Sequence, residues 1–441
     1  MRLPALAFLL ALLVFGAVAG PRLASRSHDP HFILQADAWL RGRLDIPEWP
    51  DGADDPAVVD VVVLDDGRVV RGRPAATRNV FLIAGDGEVP LTAVRGARAH
   101  EFHLAFPPFP AVVALPFVAM FGPQVSDVAI TVVAAALAPA LCLLVFARLR
   151  AAGLVTRPPA DDLSLSALFA VGTVFFFSAV QGRIWFTAHI VAVDLCLLYV
   201  WASVDARYPA LAGACVGLAF LTRAPMRFMV PLFAGEAWRA GKTREWRTWT
   251  AFVVPVAVAG ALAAWFNVLR FDDPLQFGHI YIRARQQVDI ERFGLFNVRY
   301  LWRNAVAAFG LLPQISSSAP FVRVSGHGLA VWVTTPALFL LARERPRRPI
   351  EYSLWATVLA VGAWTLLYQN TGWFQFGFRF ALDYLVFLVV LLALQTRPLG
   401  RLGVGLVVLS IAVNTFGALT FDRSPQFYRG DAEAYRALVH D

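Results

Sequence analysis

Apolar runs of helical length, almost free of charged residues, dominate this chain, and in hydrocarbon such a run can satisfy its backbone polar groups only as a helix or within a closed barrel. The runs lie at about residues 3–20, 125–147, 164–180, 187–204, 208–222, 226–238, 249–269, 328–342, 352–368, 379–396 and 400–420. They predict an all-α polytopic membrane protein with about eleven transmembrane helices. Composition agrees. Of 441 residues, 58% are hydrophobic and 16% charged, with a mean hydropathy of +0.58, too apolar for an ordinary soluble enzyme of this length. The net charge of +8 is spread through short loops between apolar runs. It therefore speaks to orientation rather than to a nucleic-acid partner. Cys142, Cys196 and Cys215 sit inside apolar stretches and form neither a disulfide framework nor a CxxC zinc pattern.

Orientation follows from the basic loops, because cytoplasmic loops of short length carry the excess of Arg and Lys. Arg148, Arg150, Arg157, Arg207, the segment Arg239 to Arg247, the cluster Arg343 to Arg348, and Arg397 with Arg401 fall on one side. The chain then divides into a first transmembrane helix (1–20), an extracytoplasmic loop (21–124), a transmembrane bundle (125–269), a second extracytoplasmic loop (270–327), C-terminal transmembrane helices (328–420) and an extracytoplasmic tail (421–441). The first run ends in Ala17-Val18-Ala19-Gly20, which also fits signal-peptide cleavage; a retained anchor is the favoured reading. Within the first loop, Val58 to Leu64 runs toward Asp66-Gly67 and Asn79 to Ile83 toward Asp86-Gly87, so two β-hairpins and a small β-rich insert are expected. Phe106-Pro107-Pro108-Phe109-Pro110 opens an apolar stretch to Gly122 that is too short to cross roughly 30 Å of hydrocarbon, and reads as a re-entrant or juxtamembrane helix.

Several arginines lie on the side that the orientation rule keeps poor in them: Arg183, Arg223, Arg227, Arg270, Arg283, Arg285 and Arg379. Each sits at the extracytoplasmic end of a helix or just beyond, where a guanidinium can grip a lipid phosphate with charge-assisted bonds; the bland alternative is snorkelling to headgroups. The sharpest acidic feature is Asp29 in Ser27-His28-Asp29-Pro30-His31-Phe32, just after the first helix. A carboxylate there can take the proton of an acceptor hydroxyl, or else cap the amphipathic segment 30–41. His28 and His31, with Glu101 and His103 beside His100, are residue types that bind zinc or manganese, so a divalent metal stays open as an alternative although no cofactor is firmly assigned. Asp194, inside an apolar run, is expected to face the bundle and to partner Arg183 or Arg223; Arg379 and Asp383 are spaced i, i+4 for a pair on one face.

These segments resemble the membrane glycosyltransferases of the C-type fold, especially the protein O-mannosyltransferase and aminoarabinose transferase group. The likeness rests on Asp29 in His28-Asp29-Pro30-His31-Phe32, on Phe106-Pro107-Pro108-Phe109-Pro110 leading to Leu115-Pro116 and Phe121-Gly122, on Asn267 to Gly278, on Gly372 to Phe380, and on Leu221 to Pro225. It runs from the first helix to about residue 396. Two departures stand out: the family's paired Asp-Glu is here Asp29-Pro30, leaving Asp29 the only carboxylate expected there, and the Lys often preceding Pro-Pro is here Phe106. The resemblance implies an inverting transferase that moves a sugar from a polyprenyl-phosphate donor to an extracytoplasmic lipid, glycan or protein in cell-envelope biogenesis, in a bacterial inner membrane. Asp29 would be the base; Arg270, Arg379, Arg223 and Arg183 would hold the donor phosphate; His28, His31, Glu101, His103, Gln276, His279 and Tyr281 would shape or support the acceptor side. The rival readings are a transporter or flippase of a lipid-linked or anionic solute, and a non-catalytic scaffold of envelope assembly.

Overall fold

The structure is a computed structural model that describes residues 2–85, 87–284 and 286–428. In chain order the elements are α1 (Arg2–Ala19), α2 (His31–Leu40), β1 (Pro56–Leu64), β2 (Val69–Pro74), β3 (Val80–Ile83), β4 (Glu88–Pro90), β5 (Val94–Leu104), α3 (Phe109–Phe121) and α4 (Asp127–Ala151). Then come α5 (Pro159–Val171), α6 (Phe175–Ala179), α7 (Ile184–Ser203), α8 (Pro209–Phe220), α9 (Val230–Arg239), α10 (Trp246–Phe271), α11 (Gln286–Phe293) and α12 (Leu301–Ala305). A two-stranded ribbon, β6 (Gln314–Ile315) with β7 (Val322–Arg323), precedes α13 (Val331–Thr334), α14 (Pro349–Leu366), α15 (Leu382–Leu394) and α16 (Gly400–Thr420).

Five helices are long and apolar enough to cross a membrane by length and composition: Arg2–Ala24, Asp127–Ala151, Ile184–Ala206, Trp246–Phe271 and Gly400–Thr420. The other expected spans are shorter or broken. The run 164–180 is two pieces, α5 and α6, separated at Gly172-Thr173-Val174, and 226–238 is a 3-10 turn (Ala224–Met229) followed by α9. The run 328–342 is α13 and a 3-10 stretch, Pro336–Arg343, because Pro336 lacks the N–H that would continue the helix. The 13-residue α3 is about 20 Å long at 1.5 Å per residue, too short to cross roughly 30 Å of hydrocarbon.

Between helices in lipid there is little hydrophobic drive, so close approach and van der Waals contact must hold them together. Gly213 and Gly217 on α8 supply that approach to α10: a Cβ at Gly213 would come within 2.0 Å of the Phe252 carbonyl oxygen, and one at Gly217 within 2.7 Å of Ala259 Cβ. Aromatic packing does the rest in the core, with Phe15 of α1 set against Phe175 and Phe176 of α6 at ring distances of 6.1 and 5.7 Å.

The insert is a five-stranded antiparallel sheet in the order β4-β3-β2-β1-β5. The hairpin β1–β2 turns at Asp65 to Arg68, where Gly67 takes a positive φ of 84° and Asp66 Oδ1 accepts the Arg68 N–H at 2.9 Å. The β3–β4 hairpin also forms as read, although Asp86 of its expected turn lies outside the described residues. The long edge strand β5, paired to β1 from Pro56↔Leu104 to Leu64↔Val94, was not anticipated. The sheet is fastened to the C-terminal end of α10: Arg71 donates to Glu101 Oε2 at 2.7 Å, to Asp272 Oδ2 at 2.6 Å and to the Arg270 carbonyl at 2.7 Å.

Candidate functional site

Two helix starts hold the segment that carries Asp29. At α4, Asp127 accepts the Ser27 N–H at 2.7 Å and its hydroxyl at 2.5 Å, and Ser126 Oγ donates to the Ser25 carbonyl at 2.8 Å. At α7, the Ile184 N–H donates to the Asp29 carbonyl at 3.2 Å. Gly182 makes this junction fit, since its φ is +74° and a Cβ there would lie 2.7 Å from the Val128 backbone. Asp29 is thereby sealed from solvent, at 0% exposure. Its Oδ1 accepts the Asp54 N–H at 2.9 Å and lies 3.3 Å from His28 Nδ1; its Oδ2 has no hydrogen bond and faces Arg183 Nε at 3.5 Å. A narrow crevice lined by Asp29, His31, Asp127, Thr131, Gly182 and Thr187 runs beneath it.

The capping role considered for Asp29 is not what the geometry gives: α2 begins after Pro30, and no side chain caps it. Nor is Asp29 the only carboxylate here. The bond to the Asp54 N–H brings in the turn ending at Asp55, whose Oδ2 accepts the Trp185 indole N–H at 3.2 Å. Burial, then the neighbouring charges of Asp54 and Asp29, push the Asp55 carboxyl up to about 6.

The four arginines read as phosphate ligands differ in how much of each is free. Arg223 is committed to Asp383, with Nε to Oδ1 at 2.6 Å and Nη2 to Oδ2 at 2.8 Å. That fork replaces both the expected Arg379–Asp383 pair and the expected Arg223–Asp194 pair; His189 Nδ1 stands 3.4 Å from the same carboxylate. Arg270 is a strut: its guanidinium donates to the carbonyls of Leu104 at 2.5 Å and Phe266 at 3.4 Å and to Asn267 Oδ1 at 3.0 Å, and lies over the rings of Phe266 and Phe271. Arg183 is shared between Asp29 and Asp422, each at 3.5 Å, and is not the partner of Asp194. Arg379 stands apart. Only 3% exposed, it donates to the Gly372 and Phe374 carbonyls, leaves Nε without a partner, and has no carboxylate within 4.0 Å among the described residues. Of the other flagged arginines, Arg227 lies among the rings of Phe220, Phe228 and Trp364, Arg283 grips Asp60 at 2.5 Å, and Arg285 lies outside the described residues.

The metal cluster left open as an alternative does not assemble. His28 and His31 stay with Asp29, His31 packing its ring on Trp49 at 4.6 Å with both nitrogens unpartnered, and burial pushes its pKa down to about 4. Glu101 and His103 belong instead to the Arg71 fastening, where the His103 hydrogen bond and Arg71 hold the Glu101 carboxyl down at about 2. Among the described residues no group of three or more His, Cys, Asp or Glu is gathered to hold a metal ion. Of the acceptor-side residues, Gln276 accepts the Gly278 N–H within its own turn and Tyr281 stacks on Phe271 at 5.0 Å, both roles internal to the loop. His279 is different: it sits between Phe106 at 6.0 Å and Tyr368 at 6.3 Å, with Nδ1 enclosed and unpartnered, and burial together with Arg270 pushes its pKa down to about 4. Tyr368 in turn touches Phe380, the neighbour of Arg379, at 5.8 Å.

Comparison with protein-family models, curated proteins and solved structures returned no match. The functional reading therefore stands on the residues themselves.

Proposed function

We propose that the chain is an integral membrane, inverting glycosyltransferase that takes a sugar from a polyprenyl-phosphate carrier and passes it to an acceptor on the extracytoplasmic face of a bacterial inner membrane, with about eleven passes through the bilayer. The observation that carries this reading is Arg379: a buried guanidinium with no carboxylate within 4.0 Å among the described residues, close to Asp55, whose turn is bonded to Asp29. Enclosing an unneutralised charge costs several kcal/mol unless an anion completes it. A phosphate group of a donor supplies that anion, and its position beside carboxylates suits a displacement in which the acceptor hydroxyl loses a proton while a phosphate ester departs. Nucleotide sugars stay in the cytoplasm, so a site on the far face needs a membrane-soluble donor.

The test is turnover. The purified protein in liposomes is given undecaprenyl-phosphate mannose, glucose and galactose in turn with an extract of the host envelope as acceptor, and release of undecaprenyl phosphate is followed by mass spectrometry. Release with at least one donor is expected; none with any would remove the reading. The transporter alternative draws on Asp194, whose Oδ1 is enclosed in α7 without a partner. Movement of the intact donor across the liposome bilayer without sugar release would favour it.

A further inference from the structure

Among the carboxylates at the site, Asp29 and Asp55 sit in environments that differ in the way that matters for proton transfer. Asp29 is sealed, with its backbone bonded to α7 and Oδ1 bonded to the Asp54 N–H, so an acceptor hydroxyl cannot reach it without unmaking the turn. Asp55 is only partly covered: Oδ2 is held by the Trp185 indole N–H at 3.2 Å, while Oδ1 carries no hydrogen bond to the protein and is not enclosed. Its backbone is held at φ +56°, in the left-handed region that residues with a side chain rarely adopt. What holds it there is visible on both sides: Asp29 grips the preceding residue, and β1 begins at Pro56, with Ala57 bridged to Ile282 of the second external loop. Strain fixed from both ends at one half-buried carboxylate with a free oxygen is the pattern of a group set in place for chemistry.

We propose that Asp55 accepts the proton of the acceptor hydroxyl, and that Asp29 is a positioning residue that holds the Asp54–Asp55 turn against α7; the assignment rests on the glycosyltransferase reading above. In the transfer, the hydroxyl oxygen forms its bond to the anomeric carbon as its proton passes to Asp55 Oδ1. The bond from that carbon to the phosphate oxygen breaks, and its electron pair leaves with the polyprenyl phosphate, whose added negative charge Arg379 meets. The groups facing Asp55 are Asp54 on its own turn, Asp29 ahead of α2, Trp185 on α7, Arg379 at the entry to α15 and Tyr368 after α14. Burial first, and then the two acidic neighbours, push the Asp55 carboxyl up to about 6, which suits a base working near neutrality.

The experiment compares D55N, D29N and D54N in the liposome assay, with folding followed by thermal melting. D55N is expected to lower kcat on the order of 10²–10⁴-fold and to abolish the acid limb of the kcat/KM profile. D29N keeps an oxygen that accepts the Asp54 N–H, so its rate should stay within about tenfold of wild type, with the acid limb still present but moved to lower pH, because Asp29's like charge is gone. D54N should turn over normally and move the acid limb to lower pH, because one like charge is gone. If D55N is unstable, D55E serves: its longer carboxylate should recover part of the turnover with a displaced acid limb. Wild-type transfer with D55N unimpaired, or with D29N as inert as D55N, overturns this division of roles alone. Absence of wild-type transfer with every donor overturns the enzyme reading instead.

Discussion

The region around the sheet and α10 and the region around Asp29 use charge in different ways. Around the insert and α10, charged groups are matched: Arg71 with Glu101 and Asp272, Arg73 with Glu291, and Asp60 with both Arg283 and His100. Around Asp29 the matching is incomplete: Asp29 Oδ2 meets Arg183 only at 3.5 Å without a hydrogen bond, both nitrogens of His31 are without a hydrogen bond, and Arg379 has no carboxylate within 4.0 Å among the described residues. Matched charges fasten one layer to another; unmatched, enclosed ones cost stability and persist where a ligand completes them. The first region is thus a brace, and the second, with its incomplete pairing, is the candidate site.

The sharpest way to break the comparison is R379K, which keeps the charge but loses the planar fork. It should lower transfer by roughly 10²-fold or more while leaving the melting temperature within a few degrees, as rates and melting curves would show. In the brace the balance reverses. R71A strands Glu101 and Asp272 and should cost about 1–3 kcal/mol, read as faster proteolysis at the Asp65–Arg68 turn, with kcat changed far less than by R379K. Acid should loosen the incompletely matched region first. His31 and His279 are pushed down to about 4, so the stability each gives by staying neutral is complete above the ordinary histidine value near 6.5 and is lost as pH falls through 4. Asp55, raised to about 6, has the opposite sign: its contribution is complete below the ordinary carboxyl range and is lost as pH rises through 6. Melting at pH 8, 6 and 4 should therefore fall toward pH 4, and H31Q should flatten that fall. The smallest effect is expected of R283A: the arginine is 47% exposed, so its loss should cost about 0.2–1 kcal/mol and matter less at high salt.

How legible this was depended on whether the deciding partner lay nearby in the chain. The hairpins β1–β2 and β3–β4 announce themselves through turn residues a few positions from their strands, and α3 through Pro108 followed by an apolar run. The edge strand β5 exposes most of Val94 to His100 and so carries no apolar alternation to betray it. The break between α5 and α6 hides in uninterrupted apolar sequence, marked only by Gly172. In the site, Asp29 is conspicuous beside its two histidines. Asp55 looks like one more acid in the polar stretch Asp51 to Asp55, and only the contact with Trp185, 130 residues on, distinguishes it. Similarly, i, i+4 spacing favours Arg379 for Asp383, yet the fork comes from Arg223, 160 residues away.

The glycine pair on α8 has a mechanical consequence. With Gly213 and Gly217 letting α8 lie almost backbone to backbone on α10, neither helix can slide or roll past the other without driving main chain into main chain. That seam behaves as a rail. Any opening between helices belongs to the jointed pieces instead, at Gly172 to Val174, Ala224 to Met229 and Thr335 to Arg343, where the helical ladder is already interrupted.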